Sequence, residues 1–176
     1  MNIGRSDIDW KSLSHNEIDR IIAERIEADD RRIEASGGKK PKRVGYILER
    51  IAEINNLREA DREAQDGKVK KNRFIRRHNL HPEEDLRALQ LMILTLDFPA
   101  PDYSVMKVRS DAGKVRDIVK QKYFPWRILH HAIMRVIGED IYKSLIYDTS
   151  ACIKGKGLHF GVRRMKSFLR RYPEYK

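Results

Sequence analysis

Two short runs of β-branched residues on either side of a glycine turn constrain the fold of this chain most strongly. Residues 103–109 and 115–120 are rich in valine and isoleucine, and the intervening residues 110–113 are Ser-Asp-Ala-Gly. Two such runs joined by a short glycine-containing loop predict an antiparallel β-hairpin. The second run mixes apolar and charged residues on both faces, which favours an exposed ribbon over a core strand. The ribbon and its flanks carry six cationic residues, which predict a phosphate-binding surface: Lys107, Arg109, Lys114, Arg116, Lys120 and Lys122.

The positive charge of the chain is concentrated in its C-terminal part. The 176 residues contain 37 lysine and arginine residues against 26 aspartate and glutamate residues, a net charge of +11. Residues 1–100 contribute 20 against 19, whereas residues 101–176 contribute 17 against 7. A positive field confined to one part of a chain predicts a polyanionic partner more strongly than a high isoelectric point alone. The alternative is a solvated basic surface that keeps the protein soluble.

Cysteine content and hydropathy restrict the cellular setting that we expect. Cys152 is the only cysteine, which excludes a disulfide scaffold and fits a reducing compartment. No apolar run approaches the length that crosses a bilayer, and the first residues show no signal-peptide pattern. The sequence therefore predicts a soluble, cytoplasmic protein with no membrane partner.

Helical periodicity dominates the rest of the chain. Ser14, followed three residues later by Glu17, has the spacing of a capping box that begins a first helix. A second helix is expected over residues 44–64, antiparallel to the first. Pro82 begins a third, whose apolar residues cover most of the circumference and predict burial. Further helices are expected over residues 126–145 and 158–171. The predicted fold is therefore mainly α with a small antiparallel β-hairpin, an α+β architecture.

Some side chains in the first half resemble metal ligands by type but not by arrangement. Asp29 and Asp30 are adjacent on a polar helix face, which predicts a solvated surface instead of a metal site. His78 and His81 stand three residues apart without further ligands nearby, so we predict no metal there. The segment 70–77 combines five cations with one phenylalanine. Two interpretations of it stay open, contact with a nucleic-acid backbone or a mobile solvated linker.

The helix expected over residues 126–145 carries a basic stripe. Arg127, His131 and Arg135 recur every fourth residue, and Arg127 lies in the first turn, where main-chain N–H groups attract anions. The stripe therefore predicts that Arg127 binds phosphate oxygens. The alternative is that Arg127 pairs with a nearby carboxylate. His131 is expected to pack or to form a hydrogen bond and not to donate protons.

A glycine-lysine loop precedes the last helix. Lys154-Gly155-Lys156-Gly157 can turn main-chain N–H groups toward an anion, with two lysines adding charge. The glycine spacing excludes a Walker loop, and a plain helix-entry turn with solvated lysines explains the sequence as well. The helix that follows is expected to bury five apolar residues: Leu158, Val162, Met165, Phe168 and Leu169.

Four spaced blocks in the second half of the chain occur in an order typical of one enzyme family. The blocks are residues 113–118, 123–133, 146–152 and 154–159. Together they resemble the opening fingers motifs of bacterial and phage reverse transcriptases. They are most similar to diversity-generating retroelement enzymes and less similar to group II intron enzymes. The resemblance spans about residues 80–176. It implies that residues 80–176 form a fingers subdomain ending before the palm. Residues 1–79 show no such resemblance, and their helical periodicity and charge predict an N-terminal helical hairpin extension with a basic linker.

The resemblance also implies roles for individual residues. Members of the family fold as a right hand whose fingers close over the incoming nucleotide and the template. Arg127 would correspond to the arginine that grips the nucleotide triphosphate, helped by Lys120 or Lys122. Lys114 and Arg116 would lie over the templating base or the triphosphate. Nucleic-acid contacts are expected from eight further residues: Lys107, Arg109, Arg135, Lys154, Gly155, Lys156, Gly157 and Arg163.

Two positions depart from the family pattern. Trp126 stands where the family usually has an aspartate, directly before the triphosphate-gripping arginine. Ile153 stands where the family loop commonly has an arginine. Both departures bear on the transfer of roles to single residues and leave the order of the blocks unchanged.

The function that the resemblance implies is that of the N-terminal part of an RNA-directed DNA polymerase. This part would contribute to binding the RNA template, the DNA primer and the incoming dNTP. The family's aspartates that hold Mg²⁺ lie on palm strands beyond the point where this sequence ends. We therefore expect no catalytic residue, metal site or cofactor in this chain, and no polymerisation by it alone.

Two further expectations concern partners. The rival hypothesis is a stand-alone, non-catalytic module that binds RNA or protein through its basic C-terminal part. A homodimer is also expected, formed through the N-terminal helices or through an exposed face where the palm would lie.

Overall fold

The fold is mainly helical, with one two-stranded antiparallel hairpin, as the sequence predicts. The computed structural model describes residues 8–36, 44–67, 72–109, 113–151 and 153–175. Its helices are α1 (His15–Ala35), α2 (Ile47–Ala52), α3 (Ile54–Gln65), α4 (Arg73–His78), α5 (Pro82–Thr95), α6 (Ile128–Ser144) and α7 (Leu158–Arg171). Its strands are β1 (Tyr103–Arg109) and β2 (Val115–Gln121). Short 3₁₀ turns cover Trp10–Ser12 and Pro173–Tyr175, and a wide turn over Tyr123–Arg127 joins β2 to α6.

The chain divides into two compact units, residues 1–136 and 137–176. In the first unit, α5 packs against α2 and α3. The compact units therefore do not follow the boundary at residues 79 and 80, which rests on the family resemblance and stays a prediction.

The capping box at the start of α1 is confirmed. The main-chain N–H of Ser14 donates to Glu17 Oε2 at 2.8 Å, and the N–H of Glu17 donates back to Ser14 Oγ at 3.4 Å. Two main-chain donors that the helix leaves unpaired are thereby satisfied. The stripe that follows buries Ile18 and Ile22 completely.

The second predicted helix is two helices, because the chain breaks at Glu53. This residue has extended angles (φ −56°, ψ 128°) and separates α2 from α3. The amide of Asn56 donates to the main-chain oxygen of Ile51 at 3.1 Å. That hydrogen bond satisfies one of the carbonyls that the break leaves without a helical partner. The break turns α3 in a different direction from α2, which a periodicity count over residues 44–64 does not detect.

The prediction that Asp29 and Asp30 form a solvated surface is wrong for Asp29. The Asp29 side chain is only 2% exposed, whereas that of Asp30 is 51% exposed. Arg32 donates to Asp29 Oδ1 at 2.6 Å, and the main-chain N–H of Gly45 donates to Oδ2 at 3.0 Å. A Cβ at Gly45 would lie 2.8 Å from Asp29 Oδ1, so a side chain there would clash. Arg50 joins both aspartates, through contacts of 3.2 and 2.5 Å.

The core of the first unit lies among α1, α2, α3, α5 and the start of α6. The prediction of a buried helix after Pro82 is confirmed for most of α5, which buries Leu86, Leu89 and Ile93. Leu96 differs from that prediction, because it ends the helix in a left-handed conformation (φ 55°) and is 57% exposed. Among the residues that the structure describes, no helix combines the length and the apolar character that a bilayer crossing requires.

The hairpin is an exposed ribbon, as predicted. β1 and β2 pair in register from Tyr103 with Gln121 to Arg109 with Val115. Strand residues alternate between the two faces, so one face carries Arg116, Ile118 and Lys120. Apolar side chains are exposed on both faces, for example Ile118 at 42% and Val119 at 60%.

The prediction that α7 buries its apolar face is wrong. None of its residues is buried in the structure, and the exposed fraction reaches 80% for Leu158 and 60% for Met165. The helix bounds themselves, Leu158–Arg171, are as predicted.

Candidate nucleic-acid interface

A cleft of about 1,000 Å³ lies in the first unit between the start of α4, the base of the hairpin and the turn before α6. Its lining combines cationic, aromatic and polar side chains, with one carboxylate, Asp102. The cationic and aromatic residues of the lining are Arg73, Phe74, Lys120, Lys122, Arg127 and His130. We call this feature the cationic cleft.

The α4 side of the cleft is fixed by a helix cap. The side chain of Asn72 accepts a hydrogen bond of 2.9 Å from the main-chain N–H of Phe74 and begins the helix. Arg73 is the first helical residue, and its Cζ lies 4.9 Å from the centre of the Phe74 ring. A guanidinium over a ring is a cation–π contact, which holds Arg73 at the cleft wall without neutralising it.

The opposite wall is anchored by Tyr123. This residue is almost fully buried, and its hydroxyl donates to the carboxylate of Asp61 on α3. The same hydroxyl lies 3.1 Å from the main-chain oxygen of Asp61. Burial raises the pKa of the Tyr123 hydroxyl far above its ordinary value, and the negative Asp61 raises it further, so the group stays a donor. The turn that carries Arg127 is therefore held against α3.

His78 completes the buried support beneath the turn. Its Nδ1 lies 2.6 Å from Asp85 Oδ2, and its Nε2 lies 3.2 Å from Asp61 Oδ1. The Nε2 contact is the longer of the two and does not have the alignment of a hydrogen bond. The imidazole also lies parallel to the Phe124 ring, with 6.2 Å between centres. A single buried side chain thus links α3, α4, α5 and the turn.

Charge explains the protonation of this buried cluster. Burial works to lower the pKa of His78, but the two carboxylates outweigh it and the net shift is upward. Burial works to raise the pKa of Asp61, but contacts with His78, Tyr123 and Gln65 outweigh it and the net shift is downward. An imidazolium between two carboxylates is the favoured state, which satisfies the rule that buried charges are paired.

Not every cation of the cleft is available for an anion. Lys122 forms an ion pair with Asp102, and both side chains are more than half exposed. The Nζ of Lys120 lies 3.3 Å from the sulfur of Met106. Within the described part of the chain, no carboxylate lies at ion-pair distance from Arg73, Lys120 or Arg127. The cleft therefore presents three cations that no acid of the described residues neutralises.

The hairpin divides its remaining predicted site residues between two faces. Arg116 shares a face with Lys120, four residues along the strand and therefore about 13 Å away. Lys107 and Arg109 lie on the other face, where Lys107 is directly opposite Asp117. Lys114 lies just before β2. Of the hairpin cations, Lys120 lines the cleft and Arg116 extends the same face away from it.

The predicted basic stripe does not act as one surface, because Arg127 lies in the turn before α6 and not in its first turn. Arg135 forms an ion pair with Glu63 on α3 and donates to Asn56 Oδ1 at 3.1 Å. His131 Nδ1 lies 3.6 Å from the same glutamate. Arg135 therefore pairs with an acid, which was the alternative considered for Arg127. Arg127 is exposed at the cleft.

The glycine-lysine loop belongs to the second unit. Gly155 has a left-handed conformation (φ 79°), and Gly157 precedes α7 in an extended one. The Nζ of Lys156 donates to the main-chain oxygen of Tyr147 at 2.6 Å and lies 4.6 Å from that ring's centre. Lys154 and Arg163 are exposed to solvent. Lys156 thus stabilises the loop, and the predicted nucleic-acid contacts of this unit stay predictions.

Arg73 and Phe74 line the cleft, although the sequence did not decide between two interpretations of their segment. The segment 70–77 was open to two interpretations, and residues 73–78 are an ordered helix whose first two side chains line the cleft. The signal was the aromatic residue beside a cation, which is common in nucleic-acid binding and also in plain surface helices. His130 lines the cleft as well, and nothing in its spacing singled it out.

Comparison with known proteins assigns no family to this chain. No protein-family model matches the chain, and no curated protein matches it either. The similarity to reverse transcriptases therefore stays a hypothesis drawn from the sequence blocks. Among the described residues, no group of three or more histidine, cysteine, aspartate or glutamate side chains could hold a metal ion.

Proposed function

We propose that this protein binds nucleic acid through the cationic cleft, with Arg73, Lys120 and Arg127 contacting phosphate oxygens. The observation that carries the proposal is the convergence of these three cations, without a neutralising acid among the described residues, on one cleft. Arginine contacts phosphate with two parallel donors, so two arginines and a lysine suit a backbone or a triphosphate.

The support of the cleft favours binding over a merely solvated surface. Arg127 extends from a turn held by the buried Tyr123, and Arg73 begins a capped helix. The main chain that carries both cations is thus positioned before a ligand arrives, and preorganisation reduces the conformational entropy that binding costs. Phe74 adds an aromatic side chain to the cleft, on which an unpaired base can stack. This combination suits single-stranded RNA or a strand end better than a closed duplex.

The sequence blocks extend the proposal to a polymerase. In that case the chain is the fingers part of an RNA-directed DNA polymerase, Arg127 and Lys120 hold the dNTP triphosphate, and the hairpin lies along the template. The catalytic carboxylates and Mg²⁺ then come from outside the residues described here. Arg127→Ala in such a polymerase raises the KM for dNTP, because a contact with the triphosphate is lost.

Salt dependence of RNA binding tests the proposal directly. Fluorescence anisotropy with a labelled single-stranded RNA should show weaker binding as salt rises. With three phosphate contacts on a single strand, a fourfold increase in salt weakens binding about twentyfold. Arg127→Ala and Arg73→Ala should each weaken binding and flatten this dependence, since one contact is lost. Arg31→Ala, which removes a 72% exposed arginine from α1, is the matched control. Binding that ignores salt, or that all three variants weaken equally, contradicts the proposal.

Nucleotide binding separates the polymerase from the stand-alone RNA-binding module. A fluorescent dATP analogue should compete with RNA for the cleft if Arg127 holds a triphosphate. RNA binding without nucleotide binding favours the non-catalytic module.

A further inference from the structure

The apolar residues of α7 follow the spacing of a helix that pairs with another helix. Leu158, Val162, Met165, Leu169 and Tyr172 succeed one another at intervals of four, three, four and three residues. This spacing places the four residues of α7 on one line along the helix, as in the seam of a coiled coil, and Tyr172 is the C-cap residue just beyond it. We call these five residues the α7 stripe. All five are exposed, from 36% for Leu169 to 80% for Leu158.

One side of the α7 stripe is covered by a segment of the same unit. Arg164 pairs with Asp148, with 3.1 Å between Nη2 and Oδ2. The rings of Tyr147 and Phe160 meet edge to face, 5.7 Å apart. Between this segment and the helix lies a groove of about 450 Å³, lined by Leu158, Met165 and Phe168 among others. The stripe is therefore the open wall of a groove rather than an isolated ridge.

The other side of the α7 stripe carries only positive and polar residues. At 100° per residue, four side chains fall in one arc beside the stripe: His159, Arg163, Lys166 and Arg170. α7 contains five lysine and arginine residues and no aspartate or glutamate. Within the described residues, none of the four side chains pairs with a carboxylate. The apolar line thus has a cationic border along one edge.

We propose that the α7 stripe and its cationic border dock an amphipathic helix of a partner protein, one that carries acidic residues beside its own apolar seam. The seam fills the groove along Leu158, Val162 and Met165, and the partner's carboxylates lie against Lys166 and Arg170. Apolar side chains supply the affinity, while the opposite charges select the partner and its register. This interface lies in the second unit and does not depend on the nucleic-acid proposal.

Charge and shape disfavour the other occupants of this face. A second α7 packed antiparallel would bring its own cations against the border, and like charges across a helix pair are destabilising. A lipid bilayer is flat, whereas the stripe lines a concave groove whose far wall carries Asp148. The four-three spacing also matches a helix better than an extended peptide, whose side chains alternate.

Two designed peptides test the proposal with the full chain. Each has leucine at the seam positions of three heptads, and one carries glutamate and the other lysine at the bordering positions. Like charges keep each peptide from pairing with itself. In fluorescence anisotropy, the glutamate peptide should bind at least about tenfold more tightly than the lysine peptide. Met165→Asp should weaken that binding about tenfold or more, without loss of helix content by circular dichroism, since Met165 is 60% exposed.

Reversing the charge of the cationic border provides the decisive test. Lys166→Glu combined with Arg170→Glu should reverse the preference, so that the lysine peptide binds more tightly. Arg31→Glu on α1 is the control and should leave both affinities unchanged. Equal binding of the two peptides, or no response to Met165→Asp, overturns the proposal. The proposal is also overturned if neither peptide binds and the chain instead co-sediments with phosphatidylcholine–phosphatidylglycerol vesicles, provided that Met165→Asp abolishes the co-sedimentation. That result assigns the face to a membrane. Dimerisation of the chain that Met165→Asp abolishes assigns it instead to a second copy.

Discussion

The hydroxyl of Tyr123 reaches the main-chain oxygen of Asp61, 62 residues earlier in the chain, at 3.1 Å. It also donates to the carboxylate of the same residue. Through this contact a buried side chain of α3 sets the position of the turn that presents Arg127. The cleft therefore depends on a polar network in the interior as much as on its surface cations.

Tyr123→Phe should lower the free energy of unfolding by about 1–3 kcal/mol. The substitution keeps the ring but removes the hydroxyl that donates to Asp61 Oδ1, while Gln65 still donates to Oδ2. Urea denaturation should show a lower midpoint with an unchanged slope. Tyr142→Phe, which removes an exposed hydroxyl from α6, should change stability little. Equal effects of the two substitutions would show that the buried hydrogen bond contributes nothing beyond an ordinary surface group.

The stability of the protein should depend on pH through the protonation of His78. Its pKa is raised in the folded state, so its stabilising contribution is complete below the unfolded pKa of about 6.5. That contribution is lost as pH rises through the folded pKa. The free energy of unfolding should therefore fall as the pH rises above about 6.5.

His78→Gln isolates this effect. The variant lacks the titrating group, so its stability should change less over the same pH range, and it should be less stable than the wild type at pH 6. The pH titration of the His78 ring by NMR in the wild type is an independent measurement. A midpoint below 6.5, or the same alkaline fall in the variant, is incompatible with an imidazolium held between Asp61 and Asp85.

The sequence predicted correctly those structural elements that depend only on neighbouring residues. The capping box of Ser14 and Glu17 needs only neighbouring residues, and the hairpin follows from two β-branched runs and a glycine turn. The bounds of α7 were also predictable from periodicity. What a helix face contacts was not, because that depends on residues far away in the chain.

The candidate site shows the same division. The sequence identified Lys120, Lys122 and Arg127 as candidates by charge and position. It could not show that Asp102 pairs with Lys122, since that depends on how the chain enters the hairpin. Nor could it show that Arg73 and Arg127 line one cleft, because the buried His78 that joins α4 to the turn contacts residues far away in the chain.

Asp29 and Asp30 offer a matched comparison of a buried and an exposed carboxylate. Asp29→Ala leaves the Gly45 N–H and part of the Arg50 guanidinium without a partner and should cost about 1–3 kcal/mol of unfolding free energy. Asp30→Ala removes an exposed pair and should cost less than about 1 kcal/mol. Thermal denaturation of both variants measures the difference. Similar midpoints for the two would mean that the Asp29 network stabilises no more than a surface ion pair.

The two faces of the hairpin should differ in their contribution to RNA binding. Arg116 lies on the face of Lys120, which lines the cleft, whereas Arg109 lies on the opposite face. A strand of RNA leaving the cleft along the ribbon can contact Arg116 at about 13 Å from Lys120, roughly two phosphates away. Arg116→Ala should therefore weaken RNA binding by several fold and reduce the salt dependence by about one contact. Arg109→Ala removes the same charge from the opposite face, one residue pair nearer the turn, and is the matched control. Equal losses for both variants would mean that the ribbon attracts RNA by net charge alone, and a larger loss for Arg109→Ala would place the strand on the other face.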